Sequence, residues 1–286
     1  MHQAIIIGAG PAGIAAAIQL KRCNIDVLVL EKDKIGGLLK NANLVENYPG
    51  FPQGISGKEF VALLENHLKT HDVGVAFQKA LKIGYDDKFI IETTEDIYFS
   101  KFLIVATGTK PKKLEEFWVK NINHKVFYEV NQLDNLKGKE ITILGSGDAA
   151  FDYALSLCKS NKITILNRSK NIKALDLLYD KCVSHKNITY FDNTVVKNAQ
   201  ILEDKLLLDC KNTENSNVLQ LQTDYLLAAI GRKPEDSLIK HLDTVSLKNK
   251  LFIVGDVKNG NHRQAAIAVG DGLKAAMQIV EVLKNG

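Results

Sequence analysis

"AIIIGAGPAGIAAAIQLKR", residues 4–22, places a G-x-G-x-x-G pattern between a short apolar run and an alanine-rich segment that favours a helix. This order predicts a β-strand, a tight turn and an α-helix, which together open a dinucleotide-binding α/β fold. We expect Gly8 to permit the turn, Gly10 to let backbone amides approach a pyrophosphate, and Gly13 to allow close packing of the helix on the strand. The helix N-terminus supplies partial positive charge to the phosphates.

Three further apolar strands are predicted to contribute their ends to this site. "DVLVLE", residues 26–31, ends at Glu31, whose carboxylate can accept hydrogen bonds from the hydroxyls of a ribose. "FLIVATG", residues 102–108, and "LFIVGD", residues 251–256, end in small or acidic residues. Because α/β sheets place ligands at the carboxyl ends of their parallel strands, we expect these strand ends to line one nucleotide site.

A second glycine turn lies in the middle of the chain. "KEITILGSGDAAFDYAL", residues 139–155, begins with an apolar strand predicted over Glu140–Leu144. The turn that follows has G-x-G-x-x-A spacing at Gly145, Gly147 and Ala150, and a helix is predicted after it. The repetition predicts a second dinucleotide site.

The strand after this second turn ends in basic residues. In "NKITILNRSKNIKA", residues 161–174, the strand ends near Arg168, with Lys170 and Lys173 close behind it. Cations at this position suit the 2′-phosphate of NADP better than the bare ribose of NAD. The sequence therefore favours NADPH, and NADH remains the alternative.

The composition is that of a soluble globular chain of two domains. The 286 residues are 45% hydrophobic and 24% charged, with a formal net charge of +4 and no long run of one sign. Neither nucleic-acid binding nor a membrane span is indicated, and the absence of a targeting leader predicts a cytoplasmic protein. Four scattered cysteines form neither a C-x-x-C pair nor metal-ligand spacing, so no metal site is predicted.

These motifs resemble those of the low-molecular-weight thioredoxin reductases, and the resemblance covers nearly the whole chain. It rests on "GAGPAG", Glu31, the paired glycines Gly36 and Gly37, "VENYPGFPQGISG" at 45–57, "ATG" at 106–108, Gly255 with Asp256, and "RQAAIAVGDG" at 263–272. The resemblance implies FAD in the first site. Leu38 departs from the family pattern, in which a glutamine often follows the paired glycines.

By this resemblance the site residues can be named. The residues implied for FAD are Gly8, Gly10, Pro11, Ala12, Gly13, Glu31, Lys32, Gly37, Leu38, Asn47, Ala106, Thr107, Gly108, Asp256, Arg263, Gln264 and Ala265. The residues implied for NADP are Gly145, Gly147, Asp148, Ala149, Asp152, Arg168 and Lys173. In the second site the family typically reads His-Arg-Arg and then Phe-Arg, whereas this chain keeps one arginine and one lysine at matching positions.

The two sites predict an α/β fold of two Rossmann-like, three-layer domains, the second inserted in the first. We expect the FAD-binding domain to comprise residues 1–111 and 242–286, and the NAD(P)H-binding domain to comprise residues 112–241. "TGTKPKK" and "IGRKPED" are interpreted as the two crossing segments, because each places a proline near a glycine. Two dinucleotides in one chain predict electron transfer from nicotinamide to flavin.

The stretch before the second turn lacks the family's redox disulfide. The C-x-x-C positions fall on "YEVN", with Tyr128 and Asn131 in place of the two cysteines. Neither residue can form or exchange a disulfide, so the family's thiol relay is excluded there. The stretch instead resembles the ferredoxin–NADP reductases of the thioredoxin-reductase type, and that resemblance implies that Asp152 lies near the nicotinamide amide.

Three functions remain open from the sequence. The first is an FAD-dependent NAD(P)H oxidoreductase that passes electrons to ferredoxin or flavodoxin, without a side-chain nucleophile. The second is a reductase of a small disulfide or quinone, and the third is a redox-responsive flavoprotein that serves as a binding module. For the first, Lys110, Lys112 and Lys113 are expected to help dock a small acidic carrier. The resemblance also implies a homodimer.

Overall fold

The computed structural model describes residues 1–115 and 121–285 and divides the chain into two compact units. Unit 1 contains Met1–Lys40, Val45–Lys110 and Lys233–Gly286, and unit 2 contains Asn41–Leu44 and Pro111–Arg232. Among the described residues, no helix is long and apolar enough to cross a membrane.

Strands and helices alternate along both units. The strands are β1 (His2–Ile7), β2 (Val27–Leu30), β3 (Gly74–Ala76), β4 (Ala80–Asp86), β5 (Lys88–Thr93), β6 (Ile97–Val105), β7 (Thr109–Pro111), β8 (Val126–Phe127), β9 (Glu140–Leu144), β10 (Lys162–Leu166), β11 (Ile188–Phe191), β12 (Thr194–Leu202), β13 (Lys205–Asn212), β14 (Val218–Thr223), β15 (Tyr225–Ala228), β16 (Arg232–Pro234) and β17 (Leu251–Ile253). The α-helices are α1 (Pro11–Arg22), α2 (Gly57–Thr70), α3 (Asp148–Leu157), α4 (Asp176–Val183) and α5 (Ala265–Asn285). Short 3₁₀ helices cover Gly37–Asn41, Asn123–Lys125, Val130–Gln132 and Gly255–Val257.

The main sheet of unit 1 has seven strands among the described residues, and four of them are parallel neighbours in the order β3-β2-β1-β6. On the free edge of β6, β17 pairs in parallel with the second half of the strand, and β5 pairs antiparallel with the first half and leads to β4. Successive residues of β1 enter different cores: Ile6 packs with helices α1 and α5, and Ile5 packs with the β4–β5 hairpin. Both faces of the sheet are therefore covered, which explains the unbroken apolar run of β1.

Unit 2 repeats this architecture. Its main sheet has the order β11-β10-β9-β15-β8 and is entirely parallel, and a separate antiparallel sheet has the order β12-β13-β14. Leu227 of β15 packs in the core formed with α3 and α4, whereas the preceding Leu226 packs with β13. The prediction of an α/β fold with two Rossmann-like, three-layer domains, one inserted in the other, is confirmed.

The bounds of the two units differ from the predicted domain bounds at three places, the smallest being Pro111, which was predicted in the first domain and lies in unit 2. The segment Lys233–His241, predicted in the inserted domain, lies in unit 1. The reason is apolar packing, since Ile239 belongs to the same core as Phe89 of β5. The segment Asn41–Leu44, predicted in the first domain, lies in unit 2 because Asp152 and Glu129 bind it through hydrogen bonds.

Candidate cofactor sites

In the first glycine turn, the fold leaves no room for a side chain at Gly8 and Gly13, whereas Gly10 borders open space. Gly8 has φ +107°, and a Cβ there would lie 2.4 Å from the carbonyl oxygen of Ala106. A Cβ on Gly13 would lie 1.9 Å from the carbonyl oxygen of Gly8. A Cβ on Gly10 would meet nothing within 4 Å, at an ordinary φ of −79°. Gly10 therefore borders open space at the N-terminus of α1, where a pyrophosphate fits.

Glu31 directly follows β2 and is 7% exposed. Its two carboxylate oxygens accept hydrogen bonds from the backbone N–H groups of Ala9 (2.8 Å) and Asp33 (2.9 Å). Each oxygen has a further lone pair, so ribose hydroxyls can still donate to the carboxylate. The next residue, Lys32, is exposed.

The paired glycines lie against the same turn. The N–H of Gly36 donates to the carbonyl of Ala9 at 2.8 Å, and a Cβ on Gly37 would lie 3.2 Å from the Cα of Gly10. Leu38 follows in the 3₁₀ helix and is half-buried. The structure thus brings the "GG" pair to the first glycine turn.

Two more strand ends reach this turn. The N–H of Ala106 donates to the carbonyl of Ile7 at 2.8 Å, and the N–H of Val254 donates to the carbonyl of Val105 at 3.0 Å. These bonds align the ends of β6 and β17 with the end of β1, so that Asp256 falls at the same edge of the sheet. Gly108 has φ +66°.

Asp271, which the sequence reasoning did not single out, anchors the segment that carries Asp256. One oxygen of the Asp271 carboxylate accepts hydrogen bonds from the N–H of Gly255 (3.0 Å) and from the side chain of Asn259 (2.7 Å). The signal was present in the sequence, since Asp271 belongs to the "RQAAIAVGDG" motif.

Residues far apart in sequence meet in the remaining part of the predicted FAD site. The side chains of Asn47 and Gln264 are joined by a hydrogen bond of 2.9 Å. The Nε of Arg263 is buried, without a hydrogen-bond partner among the described residues, and Ala265 begins α5. Thr107 donates its hydroxyl proton to the carbonyl of Glu235 at 2.6 Å. A buried donor without a partner fits a ligand rich in acceptors, as FAD is.

The second glycine turn has the same construction. Gly145 has φ +151°, and a Cβ there would lie 2.5 Å from the carbonyl oxygen of Ala229, which follows β15. A Cβ on Gly147 would meet nothing within 4 Å. The N–H of Gly145 donates to the carbonyl of Leu166 at 3.1 Å, which holds the turn at the end of β10. The open space beside Gly147 corresponds to that beside Gly10 and fits a second pyrophosphate.

The basic loop after β10 is tied to this turn. The N–H of Lys173 donates to the carbonyl of Ser146 at 2.8 Å, and the N–H of Leu175 donates to the Asp148 carboxylate at 2.9 Å. The side chains of Arg168 and Lys173 are exposed, and Ala149 is exposed in the first turn of α3. The structure therefore brings the cations predicted for a 2′-phosphate to the glycine turn predicted for the pyrophosphate.

Asp152, one helical turn after Asp148, is covered by the segment Asn41–Leu44. Its carboxylate accepts hydrogen bonds from the N–H of Asn43 at 2.8 Å and from the backbone of Leu44. Burial raises the pKa of Asp152 to about 6, although these two hydrogen bonds and Lys159 act in the opposite direction. Backbone amides thus occupy the carboxylate for which the resemblance implies a nicotinamide contact.

The residues at the C-x-x-C positions have structural partners within unit 2. Tyr128 packs in the core beside β13, and its hydroxyl accepts a hydrogen bond from the N–H of Leu114 at 3.3 Å. Asn131 is half-buried in the 3₁₀ helix Val130–Gln132. Between them, Glu129 forms an ion pair of 2.7 Å with Arg232, which the sequence reasoning missed because the two residues lie 103 positions apart.

All four cysteines of the sequence lie in the described ranges and are free thiols. Cys23 is exposed, and the other three are buried. Burial raises the pKa of Cys182 to about 12 and that of Cys210 to about 11, and it also raises the pKa of Cys158. The buried cysteines are therefore protonated at neutral pH, and a protonated thiol is a poor nucleophile for disulfide exchange.

Two glycine turns, each at the carboxyl edge of a parallel sheet, define an oxidoreductase fold for two dinucleotides. The chain belongs to the pyridine nucleotide-disulphide oxidoreductase family, whose model matches residues 2–282. Within that family it is a thioredoxin reductase-like flavoprotein. Its cofactors are those of that group, FAD and NADPH, and the residues present fit both.

Similar proteins match over nearly the full length. A Clostridium pasteurianum protein, described as a 34.2 kDa protein in a rubredoxin operon, is 31% identical over 96% of this chain and 94% of its own. A Mycoplasma genitalium thioredoxin reductase is 29% identical over 98% and 94% of the two chains. The crystal structure of Lactococcus lactis thioredoxin reductase has a TM-score of 0.89, with 26% identity over all of both chains.

Proposed function

We propose that this FAD-dependent oxidoreductase passes electrons from NADPH through the flavin to a small protein carrier of the ferredoxin or flavodoxin type. The observation that carries the proposal is the replacement of the redox cysteines by Tyr128 and Asn131. Bound FAD would accept hydride from NADPH and release electrons to an acceptor. The chain itself would bind and orient the two cofactors, with no thiol between flavin and acceptor.

We assign the site residues accordingly. The open space at Gly10, the Glu31 carboxylate and the unpartnered Nε of Arg263 support an FAD site formed by the residues that the resemblance implies. The space at Gly147 and the exposed cations Arg168 and Lys173 support an NADPH site. We further expect a homodimer that acts in the cytoplasm.

Charge supports a protein acceptor. The chain carries a net charge of +4, and Lys112 and Lys113 are exposed. Lys110, which was expected to contribute to docking, forms an ion pair of 2.8 Å with Glu235, so its charge is largely neutralised. The C. pasteurianum relative is named for its place in an operon with rubredoxin, itself a small electron-carrier protein. Rubredoxin therefore joins ferredoxin and flavodoxin as a candidate acceptor.

The proposal is tested by anaerobic titration of the FAD-loaded protein with NADPH, followed by mixing with acceptors. Ferredoxin, flavodoxin and rubredoxin are compared with thioredoxin, a small disulfide and a quinone. We expect bleaching of the flavin by NADPH and reduction of at least one protein carrier, at a rate that falls as ionic strength rises. Failure of NADPH to bleach the flavin would instead favour the redox-responsive binding module.

Two variants separate the remaining alternatives. With all four cysteines replaced by serine, a folded and flavin-loaded variant should retain carrier reduction. The double variant Lys112→Glu, Lys113→Glu should slow carrier reduction and leave flavin reduction by NADPH unchanged. The double variant Lys69→Glu, Lys79→Glu, at two exposed lysines of unit 1, is the charge-matched control. Robust thioredoxin reduction by the parent protein, or loss of carrier reduction in the cysteine-free variant, would return the chain to the disulfide reductases. Turnover with only the small disulfide or the quinone would favour the second alternative.

A further inference from the structure

The residue after β10, Asn167, is almost fully buried although it begins an exposed loop. It is 1% exposed, and its backbone N–H and C=O bond to Phe191 (2.9 Å) and Thr194 (2.8 Å). Its side-chain amide donates to the carbonyl of Asn171 at 3.2 Å and to the hydroxyl of Tyr190 at 3.0 Å. A buried amide with this many partners orders the backbone that surrounds it.

The side-chain oxygen of Asn167 acts on the loop itself. It accepts a hydrogen bond from the N–H of Ser169 at 3.3 Å, so that Arg168 lies inside a turn closed by Asn167. Together with the bond to Asn171, this fixes the first four residues of the loop. The other end of the loop is fixed at the second glycine turn by the backbone of Lys173 and Leu175.

The partner Tyr190 is in turn fixed by aromatic packing. Its ring lies 5.5 Å from that of Tyr179 on α4 and 5.9 Å from that of Phe151 on α3, measured between ring centroids. Phe151 is fully buried. The hydroxyl of Tyr190 is therefore a rigid acceptor for the Asn167 amide, and the order of the loop derives from the core of unit 2.

The cations on this loop have no polar partner among the described residues. The side chains of Arg168, Lys170 and Lys173 are exposed, and none makes an ion pair or hydrogen bond among the described residues. A guanidinium on an ordered backbone binds a phosphate with a smaller loss of conformational entropy than one on a flexible loop. An ordered loop that begins with the free guanidinium of Arg168 beside a dinucleotide turn is suited to hold the 2′-phosphate.

We propose that Asn167 is a positioning residue that sets the preference for NADPH over NADH, acting through Arg168. This inference rests on the proposed NADPH site and adds to it the residue that fixes the phosphate-binding loop. Asn167 itself does not touch the nucleotide. Its removal would leave Arg168 in the sequence and disorder the backbone that presents it.

The test measures dissociation constants for NADP⁺ and NAD⁺ by calorimetry, on the oxidised, FAD-loaded protein. Asn167→Ala should weaken NADP⁺ binding about tenfold, the effect expected when Arg168 no longer makes its charged hydrogen bond to the phosphate, and should change NAD⁺ binding by less than about twofold. Tyr190→Phe, which keeps the ring and removes only the hydroxyl, should give a smaller loss in the same direction. Asn198→Ala removes an exposed amide elsewhere in unit 2 and is the matched control.

A double-mutant cycle identifies the route of the effect. In the Arg168→Ala background, Asn167→Ala should change NADP⁺ binding by less than about twofold, because the group through which it acts is already gone. Equal weakening of NADP⁺ and NAD⁺, or an undiminished effect in the Arg168→Ala background, would overturn the inference. If Asn167→Ala fails to fold, the Tyr190→Phe variant decides the question. An unchanged preference of that variant for NADP⁺ over NAD⁺ would by itself overturn the inference.

The outcome is independent of the electron acceptor. A protein that prefers NADP⁺ through Asn167 but reduces no carrier would contradict the proposed function and support this inference. A parent protein that prefers NAD⁺, or binds neither nucleotide, would contradict the inference whatever the acceptor.

Discussion

Replacement of Asp152 by asparagine should stabilise the protein more at high pH than at low pH. Burial raises the pKa of this carboxyl to about 6, against 3.8 for the unperturbed group. Because the folded-state pKa lies above the unfolded one, the stabilising contribution of Asp152 is complete below pH 3.8 and is lost as the pH rises through 6. At neutral pH the buried charge costs about 3 kcal/mol relative to the protonated form.

Asparagine cannot ionise, so the variant avoids this cost. The asparagine side chain has only one acceptor oxygen for the backbone N–H groups of Asn43 and Leu44. If one of these N–H groups is left without an acceptor, the variant loses about 1 kcal/mol of stability, and that loss is the same at every pH. From the two pKa values, the difference in unfolding free energy between the variant and the parent should grow by about 1.4 kcal/mol between pH 5 and pH 8.

The assay is urea unfolding of both proteins with excess FAD at pH 5, 6, 7 and 8, followed by circular dichroism. Asp176→Asn removes an exposed carboxylate from the neighbouring helix α4 and controls for the loss of one charge. A difference between parent and Asp152→Asn that stays constant over the four pH values would refute the reasoning, since it would mean that the buried carboxyl does not titrate in this range.

The other predictions concern the glycine turns and the nucleotide loop. Gly10→Val should fold, because its side chain enters open space, but should be colourless if that space holds the FAD pyrophosphate as we propose. Gly13→Val should not fold, and a full flavin spectrum in Gly10→Val would contradict the proposed site. Gly147→Val should keep its flavin and lose bleaching by NADPH, which absorbance under anaerobic conditions reports. Arg168→Ala should raise the KM for NADPH about tenfold and leave that for NADH nearly unchanged, and steady-state kinetics with equal effects on both nucleotides would refute this.

The elements that sequence predicted well are those whose residues carry a local signal. β9 occupies Glu140–Leu144 as expected, because an apolar run buried on both faces ends at a glycine. β1 was expected from Ala4 and begins at His2, since backbone pairing with Ser100 extends the strand beyond its apolar residues.

The features that sequence did not predict depend on partners distant in the chain. The backbone N–H of Asn43 donates a hydrogen bond to Asp152, which lies 109 positions away in the sequence. No local pattern indicates that Asn43 belongs to unit 2. Asp271 lies in a quoted motif, but its bond to the N–H of Gly255 follows only from the packing of α5. In both cases the deciding interaction is a hydrogen bond from a backbone N–H group to a carboxylate. Because almost any residue can supply a backbone N–H, this interaction does not require a particular residue type that a sequence pattern could reveal.

The two units show how one architecture can be adapted to two nucleotides. Glu31 directly follows β2, and Asn167 directly follows β10, so the two residues occupy equivalent positions after the second strand of each sheet. Both accept a hydrogen bond from the N–H two residues later. The longer Glu31 also reaches back to the N–H of Ala9 in the glycine turn and presents a negative charge there, which would repel a 2′-phosphate. The shorter, neutral Asn167 bonds to Tyr190 instead, leaves that position uncharged, and allows the adjacent Arg168 to supply the charge. By our proposal, the same backbone turn thus presents a carboxylate to a ribose in unit 1 and a guanidinium to a phosphate in unit 2.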